Sequence, residues 1–253
     1  MKIAIITGAS SGIGPEYVRA TTEQFPDVQT IWVIARREDR LQALAERFPN
    51  VQIVPMALDL CDKHSFDAIA ERLKAEQPDV RLLVNNAGFG KLGDFDEIGM
   101  QAQADMVDLN DRAPVMMTAV TLPYMQSGAV VLNTCSIASY VPTPRMTVYC
   151  STKAFILSFS KALRHELKSR GIRVHAACPG PMETEFLAVA DIPKGRSKLF
   201  DFCPRVDARK MADKSLKAAR RGRAVYTNRL IYKLYRVLCK LIPHNFIMGQ
   251  TTA

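Results

Sequence analysis

The run Lys2-Ile3-Ala4-Ile5-Ile6-Thr7-Gly8-Ala9-Ser10-Ser11-Gly12-Ile13-Gly14 places a short apolar segment directly before three glycines spaced G-x-x-x-G-x-G. The apolar segment predicts a buried strand. Glycines let the backbone turn tightly and approach a pyrophosphate, which the free N–H groups at the start of the following helix can bind. Pro15 suits the first turn of that helix because its missing N–H would have no partner there. We therefore predict a strand–turn–helix unit that binds a dinucleotide through Gly8, Ser10, Ser11, Gly12, Ile13 and Gly14; an incidental tight turn is the alternative.

Strands and helices alternate along most of the remaining chain. After the strand at 2–7, apolar runs predict further strands at 30–35, 51–56, 81–84, 129–134 and 173–177, and a short seventh at 223–226. Helices with an apolar face separate them, and a long helical region is expected over 101–126. This pattern predicts an α/β fold with a parallel sheet covered by helices on both faces. Ligands of such sheets bind at the carboxyl ends of the strands.

Length and composition are those of an ordinary globular protein. The 253 residues are 48% hydrophobic and 23% charged, and a chain of this size can bury a large core without a disulfide or metal. No apolar run reaches the roughly 20 residues that cross a bilayer, and residues 1–6 lack a secretory cleavage pattern. Six cysteines and four histidines show no metal-ligand spacing. We expect a cytoplasmic protein with reduced thiols and no metal.

Two arginines at the end of the second predicted strand indicate which dinucleotide is bound. Folds that bind NAD usually carry a carboxylate there for the ribose 2′-hydroxyl, whereas this chain has Arg36 and Arg37. A carboxylate would repel the 2′-phosphate of NADP, and a guanidinium binds it bidentately. The sequence therefore favours NADP(H), although both arginines would also suit a solvated helix start.

A tyrosine and a lysine in one predicted helix form the candidate catalytic pair. Tyr149 and Lys153 lie four residues apart and so share a helical face. A phenol with a pKa near 10 is a weak acid–base catalyst at neutral pH, but a nearby ammonium lowers that pKa. Ser136 follows the fifth predicted strand, at the cofactor edge of the sheet, where its hydroxyl can hold a carbonyl oxygen. Alone, Y-x-x-x-K is a weak pattern; behind a glycine turn and Ser136 it indicates proton transfer.

Taken together, several segments carry a specific resemblance. They are Thr7-Gly8-Ala9-Ser10-Ser11-Gly12-Ile13-Gly14, Asp59-Leu60, Asn85-Asn86-Ala87-Gly88, Asn110, Ser136, Tyr149 with Lys153, and Cys178-Pro179-Gly180-Pro181-Met182-Glu183-Thr184. Over residues 1–185 the chain resembles the short-chain dehydrogenase/reductase family.

That resemblance implies a Rossmann-type, doubly wound parallel sheet of about seven strands in a single domain. It implies Asp59 near the adenine, Asn86 along the adenosine side and Thr184 near the nicotinamide carboxamide. It further implies that the chain forms a homodimer or homotetramer through its two long helices. Matching the family's catalytic four are Asn110, Ser136, Tyr149 and Lys153; further expected cofactor contacts are Leu60, Ala87, Gly88, Tyr149, Lys153, Pro179 and Gly180.

Pro114 adds a local argument for Asn110. Proline has no N–H to bond the carbonyl four residues earlier, so the helix should kink and leave the Asn110 carbonyl free. A free carbonyl can hold a water, and the family's proton relay uses a water beside Asn and Lys. A simple proline kink without a catalytic role is the alternative.

The C-terminal part of the chain departs from this pattern. Residues 205–243 hold twelve Lys or Arg and two Asp, whereas the rest of the chain is nearly neutral. Residues 229–240 predict a basic amphipathic helix, which can lie on an anionic membrane, cover the substrate pocket or form a subunit interface. No motif supports nucleic-acid binding. We therefore divide the chain into a catalytic domain at 1–225 and a basic extension at 226–253.

A segment at about 185–205 is expected to form a mobile loop over the substrate. Its apolar residues, with Phe89 and Met146, are expected to line an apolar pocket; they are Phe186, Leu187, Val189, Ile192, Leu199, Phe200 and Phe202. The sequence thus predicts an NADP(H)-dependent oxidoreductase for a carbonyl or secondary alcohol substrate. The apolar pocket favours a lipophilic substrate, such as a steroid-like or fatty ketone. A non-catalytic NADP(H)-sensing or membrane-associated scaffold protein on the same fold is the alternative.

Overall fold

The computed structural model of the chain describes residues 1–191 and 203–249 and contains one seven-stranded parallel sheet. The strands lie in the order β3-β2-β1-β4-β5-β6-β7. This confirms the predicted single α/β domain with a Rossmann-type sheet. The strands are β1 (Lys2–Thr7), β2 (Thr30–Ala35), β3 (Gln52–Ala57), β4 (Asp79–Asn85), β5 (Val130–Thr134), β6 (Arg173–Cys178) and β7 (Val225–Thr227).

Helices cover both faces of this sheet. Those found in the described residues are α1 (Gly14–Gln24), α2 (Glu38–Glu46), α3 (His64–Glu76), α4 (Met100–Val107), α5 (Ala113–Thr121), α6 (Thr147–Glu166), α7 (Glu185–Val189), α8 (Ala208–Arg220), α9 (Leu230–Leu241) and α10 (His244–Met248). Successive residues of β1 serve opposite faces, since side chains alternate along a strand. Ala4 and Ile6 pack with α1, α2 and α8, whereas Ile3 and Ile5 pack with α3 and α5.

The strand order reverses beside β1. This strand pairs with β2 on one side and with β4 on the other, so the chain crosses over at this point. The connections after β1 and β4 leave in opposite directions and open a crevice at the carboxyl edge of the sheet. The glycine turn and the segment Asn86-Ala87-Gly88 follow these two strands and therefore meet there.

The long helical region predicted at 101–126 is interrupted. A π-helical turn at Asp108–Arg112 separates α4 from α5, and Pro114 occupies the first turn of α5. At the junction, the Ala113 N–H bonds the carbonyl of Asp108, five residues back. The kink expected from Pro114 thus takes the form of a π turn, a feature often found at functional sites.

Beyond β6 the chain only partly matches the expected organisation. Within the predicted loop, Glu185–Val189 forms helix α7, whereas Ile192, Leu199, Phe200 and Phe202 lie outside the described residues. The division expected between residues 225 and 226 falls inside β7. The amphipathic helix is present as α9. Among the described residues, no helix is both long and apolar enough to span a bilayer.

Candidate active site

The glycine turn after β1 leaves its backbone exposed to a cavity of about 790 Å³. Gly8 has φ +64°, and a Cβ there would lie 2.8 Å from the backbone of Ala87. Gly12 has φ +61°, and a Cβ there would project toward Thr184, 3.8 Å from its Cβ. Both positions therefore need glycine, the first for close packing and the second for its left-handed backbone. Ser10, Ser11 and Ile13 also line the cavity.

Gly14 plays a different part from the one expected. It is buried and does not line the cavity. A Cβ at this position would overlap the carbonyl oxygen of Gly8. Gly14 therefore lets the start of α1 pack against the turn, and its expected contact with a dinucleotide stays a prediction.

At one end of the cavity, Arg36 and Arg37 follow β2. Arg36 is exposed, whereas Arg37 donates to the Ser10 hydroxyl at 3.3 Å and to the Glu185 carboxylate at 3.0 Å. Arg40 donates to the other oxygen of Glu185. Hydrogen bonds from Arg40 and Arg37 hold the pKa of Glu185 below its usual value. No local pattern indicates this contact between α7 and the start of α2, because 148 residues separate Arg37 from Glu185.

Asp59 and Leu60 line the same end of the cavity. The Asp59 carboxylate accepts a hydrogen bond from the Cys61 N–H at 3.0 Å, and its backbone carbonyl accepts one from the Ser65 hydroxyl. These bonds fix the turn that leads from β3 into α3. Leu60 is buried at the base of this turn.

Asn86 joins the carboxyl ends of three strands. Its amide donates to the carbonyls of Thr7 and Gly8, each at 3.2 Å, and its carbonyl oxygen accepts from the Thr134 hydroxyl at 3.3 Å. The Thr7 hydroxyl in turn accepts from the backbone N–H groups of Asn86 and Ala87. Thr134, which sequence reasoning missed, thus belongs to the floor of the cavity.

Ser136, Tyr149 and Lys153 meet on one wall of the cavity, Tyr149 and Lys153 because they share a helical face and Ser136 because it follows β5. The Lys153 ammonium is buried, donates to the Thr134 carbonyl at 3.1 Å and lies 5.7 Å from the centre of the Tyr149 ring. The Ser136 hydroxyl accepts from the Ala138 N–H at 3.1 Å, which fixes its side chain after β5. Gly88 fits closely here, because a Cβ would lie 2.7 Å from the Asn110 side-chain oxygen and 3.3 Å from the Lys153 nitrogen.

The pKa of Tyr149 differs from the expectation of an acidic phenol. Burial raises it above its ordinary value, and a hydrogen bond with Ser136 lowers it by less. Burial also lowers the pKa of Lys153, while nearby Cys135 and Asp111 act to raise it. The reason for the difference is that Tyr149 is 7% exposed, so the loss of water around the phenolate outweighs the hydrogen bond with Ser136. At neutral pH the phenol therefore carries its proton.

Asn110 lies behind the wall and does not line the cavity. Its side chain accepts from the Phe89 N–H at 3.0 Å and donates to the Phe89 carbonyl at 2.9 Å and the Thr152 hydroxyl at 3.0 Å. Asn110 therefore ties the π turn to both α6 and the segment after β4. Its neighbour Asp111, unnoticed in the sequence, has a carboxyl pKa that burial raises to about 7, with an opposing effect from Lys153.

The end of the cavity beyond Tyr149 is apolar. The Phe186 ring lies 5.5 Å from the Tyr149 ring, centre to centre. Other expected residues present here are Phe89, Met146, Leu187 and Val189. Ile231 and Tyr235 also reach the cavity, from α9, which agrees with pocket coverage, one of the alternatives that the sequence left open for this helix. The i, i+3, i+7 spacing of Tyr232, Tyr235 and Cys239 is the signal that marks this inner helical face.

Pro179, Gly180 and Thr184 line the cavity opposite the glycine turn. The Gly180 N–H donates to the Asn228 side chain at 3.1 Å, and a Cβ at Gly180 would overlap the ring of Tyr232. The Tyr232 hydroxyl donates to the Pro204 carbonyl at 2.7 Å. The basic extension is therefore packed onto the segment after β6.

This arrangement matches a known family over three quarters of the chain. The family model described as short chain dehydrogenase matches residues 2–192. The chain belongs to the short-chain dehydrogenase family. It is accordingly an oxidoreductase with a nucleotide-binding fold, as the resemblance implied.

Individual relatives agree with this assignment. A short chain dehydrogenase from Pseudocercospora fijiensis is 35% identical over 198 residues, which cover 75% of this chain and 62% of that protein; the match thus spans less than two thirds of its length. An NADP-dependent 3-hydroxy acid dehydrogenase from Schizosaccharomyces pombe is 33% identical, with 74% of each chain covered. Among solved structures, a short-chain dehydrogenase from Sphingobium yanoikuyae in complex with NADPH has a TM-score of 0.81 at 28% identity, covering 98% of this chain and 96% of the other.

Proposed function

We propose that this dehydrogenase transfers hydride between NADP(H) and a lipophilic carbonyl or secondary alcohol. The observation that carries the proposal is the meeting of Ser136, Tyr149 and Lys153 on the wall of one cavity whose far end holds Arg36 and Arg37. A proton donor and a binding site for a phosphorylated cofactor are thereby joined in a single space. A protein that only senses or binds the cofactor would not need the proton donor.

The groups that surround the cavity suit a phosphorylated dinucleotide. The backbone of the glycine turn is exposed to the cavity just before the start of α1. A side chain at Gly12 would project toward Thr184. Helix N-termini bind phosphate groups. At the next strand, Arg36, Arg37 and Arg40 supply positive charge where an NAD-specific fold would carry a carboxylate. The relative from Schizosaccharomyces pombe is named NADP-dependent and the structure from Sphingobium yanoikuyae holds NADPH, which supports the same cofactor here.

In the reducing direction, the chain's side chains act on the carbonyl oxygen. When bound, NADPH supplies the hydride that reaches the carbonyl carbon. The Ser136 hydroxyl donates a hydrogen bond to the oxygen as negative charge develops there. Tyr149 then donates its phenolic proton to that oxygen. Burial raises the pKa of Tyr149, so the phenol carries its proton at neutral pH and is in the protonation state of a donor.

Resupply of that proton is assigned to Lys153 and the π turn. The ammonium donates to the Thr134 carbonyl and retains protons that point elsewhere. Asn110 bonds Thr152, which precedes Lys153 in α6, and so positions the π turn beside that helix. We expect a water on the backbone carbonyl of Asn110 to complete the path, as in other members of the family.

The substrate is assigned by the apolar end of the cavity. Phe186, Met146 and Tyr235 line the same cavity as Tyr149. The Phe186 ring is in contact with the Tyr149 ring. Burial of apolar surface contributes about 25 cal/mol per Å², so a large apolar ketone gains more here than a small charged one. A steroid-like or fatty ketone is the substrate class we propose, with NADP(H) turnover in a homodimer or homotetramer in the cytoplasm.

The test is an NADPH-consumption screen over steroid and long-chain ketones, small aldehydes and a 3-oxo acid, repeated with NADH. We expect turnover of the large apolar ketones and a preference for NADPH. Tyr149→Phe should lower turnover by about 100-fold or more, the scale of a lost general acid. Tyr140→Phe is the matched control, since it deletes a partly buried phenol hydroxyl that bonds the Thr227 hydroxyl and does not line the cavity.

Two results would contradict the proposal. Near-normal turnover by Tyr149→Phe would remove the assigned proton donor. Efficient use of the 3-oxo acid without use of apolar ketones would reject the lipophilic substrate class while leaving the oxidoreductase assignment intact.

A further inference from the structure

Helix α9 is fixed to the domain by one of its faces. Tyr232 and Cys239 are buried, and Tyr232 bonds the Pro204 carbonyl while its ring packs on Gly180. The Tyr235 ring lies 6.3 Å from that of Tyr140. These side chains recur at i, i+3 and i+7, so the opposite side of the helix must face away from the domain.

The outward face of α9 is aliphatic, and it is exposed in the part of the chain that the structure describes. Its large side chains keep between 47% and 76% of their surface exposed, and Phe246 of α10 adds a ring that is 68% exposed. A contiguous exposed apolar surface on a folded domain marks an interaction site. We name this surface, with Phe246, the aliphatic face; its members in α9 are Leu230, Ile231, Leu234, Val237, Leu238 and Leu241.

Basic residues flank the aliphatic face on one side. Lys233, Arg236 and Lys240 recur at i, i+3 and i+7 and, with Arg223, line a groove of about 420 Å³ beside the edge strand β7. Within 1–191 and 203–249, none of the four is in an ion pair. Residues 214–253 hold nine Lys or Arg and no Asp or Glu.

This charge distribution decides between two occupants of the face. A second copy related by a two-fold axis would present the same surface, so the basic flanks would meet with no carboxylate from this part of either chain between them. Anionic phospholipid supplies the opposite charge at the flank and an acyl boundary for the aliphatic side chains. Amphipathic helices with Lys and Arg on the polar side bind such surfaces, and each basic residue near the surface strengthens the attachment.

We propose that the aliphatic face of α9 and its basic flank dock the protein on the surface of an anionic phospholipid membrane. The helix lies in the plane of the interface and stays attached to the domain through Tyr232 and Cys239. Ile231 belongs to both the aliphatic face and the lining of the cavity. If the proposed lipophilic substrate is correct, the docked orientation places the cavity beside the bilayer in which that substrate dissolves.

The experiment is co-sedimentation of the full chain with vesicles of phosphatidylcholine alone or with 30% phosphatidylserine. We expect several-fold more bound protein on the anionic vesicles and a loss of most of this excess in high salt, since ionic screening weakens surface attraction. The readout does not depend on turnover, so a failed membrane assay and a failed activity screen are separate results.

Paired variants separate the two parts of the surface. Leu234→Ser with Leu241→Ser should lower the bound fraction at least fivefold, and Lys233→Gln with Lys240→Gln should remove the preference for phosphatidylserine. Matched controls elsewhere are Met100→Ser, at an exposed apolar residue of α4, and Lys74→Gln, at an exposed lysine of α3. Both controls should bind as the unaltered chain does, and thermal melts of every variant check that it is folded.

Three outcomes would overturn the proposal. The first is equal binding to both vesicle types, and the second is unchanged binding by the folded leucine variant. The third is a fall in the solution mass of the leucine variant, by light scattering, without an effect on vesicles, because this would make the face an interface between copies.

Discussion

Replacing Arg37 with Ala is expected to weaken binding of NADPH and leave binding of NADH nearly unchanged. Arg37 follows β2 and donates to Ser10 of the glycine turn and to Glu185 of α7. The two cofactors differ only in the 2′-phosphate, so NADH is an internal control for every other contact. The assay is the KM for each cofactor at a saturating concentration of the best ketone.

The size of the effect follows from two opposing contacts. A hydrogen bond to a charged group contributes about 1.5–3 kcal/mol, and Arg37 must give up an exposed ion pair with Glu185, which solvent screens and which therefore offsets only a small part of that gain. The net loss in Arg37→Ala is about 1–2 kcal/mol, or roughly a 5- to 30-fold rise in the KM for NADPH. Glu185→Gln removes the competing carboxylate and should lower the KM for NADPH by up to about fivefold.

An equal rise in the KM for both cofactors in Arg37→Ala would refute this reasoning, because it would mean that the side chain only supports the turn at Ser10. A Glu185→Gln variant that binds NADPH more weakly would refute the competition. In that case the carboxylate would be holding Arg37 and Arg40 in place for the phosphate.

Three further predictions concern residues that are buried fully or in part. Burial lowers the pKa of His175 to about 4, so the unfolded chain takes up a proton at this residue first as the pH falls below about 6.5. The free energy of unfolding should therefore drop by about 1–2 kcal/mol between pH 7 and pH 5. The accompanying drop in melting temperature should be smaller in His175→Asn. Asp111 has a raised pKa and one buried carboxylate oxygen with no hydrogen-bond partner in the described residues, so its charged form opposes folding at a pH above its unfolded pKa. Asp111→Asn should raise the free energy of unfolding at pH 8 by about 1–2 kcal/mol, after allowance for the partial exposure of the side chain. An unchanged urea midpoint would contradict this. Gly180→Ala should cost about 1–3 kcal/mol of stability by overpacking Tyr232; the same change in a Tyr232→Leu background should cost less, and an equal cost in both backgrounds would show that the two residues are not coupled.

Local sequence patterns predicted the positions of residues that lie near a strand end or within one helical turn of each other. The glycine turn, Arg36 and Arg37, and the pair Tyr149 and Lys153 each lie within a few residues of a strand end or share one helical turn. Parallel strands bring their carboxyl ends to one edge of the sheet, so these segments had to meet. The predicted strand at 2–7 and its pairing partner at 30–35 match β1 and β2 residue for residue.

Expectations failed where burial or distant packing decided the result. The sequence predicted an acidic phenol at Tyr149 from the ammonium of Lys153, but the packing of Phe186 and its neighbours removes water and raises the pKa. Gly14 was expected among the cofactor contacts and Asn110 among the catalytic residues, acting through a water on its carbonyl, and both roles stay predictions. The structure uses both residues behind the cavity, the first to seat α1 and the second to tie the π turn to α6.

The sequence by itself determined the order of the elements, the edge of the sheet that carries the site, and the residues able to bind a phosphorylated dinucleotide and move a proton. Only the tertiary structure decided that Glu185 pairs with Arg37, that α9 walls the apolar end of the cavity, and that its leucines face outward. The physical reason is distance along the chain. Local spacing fixes which side chains share a face, but contacts across 50 to 150 residues depend on how whole helices pack, and that packing sets burial, charge pairing and access to the site.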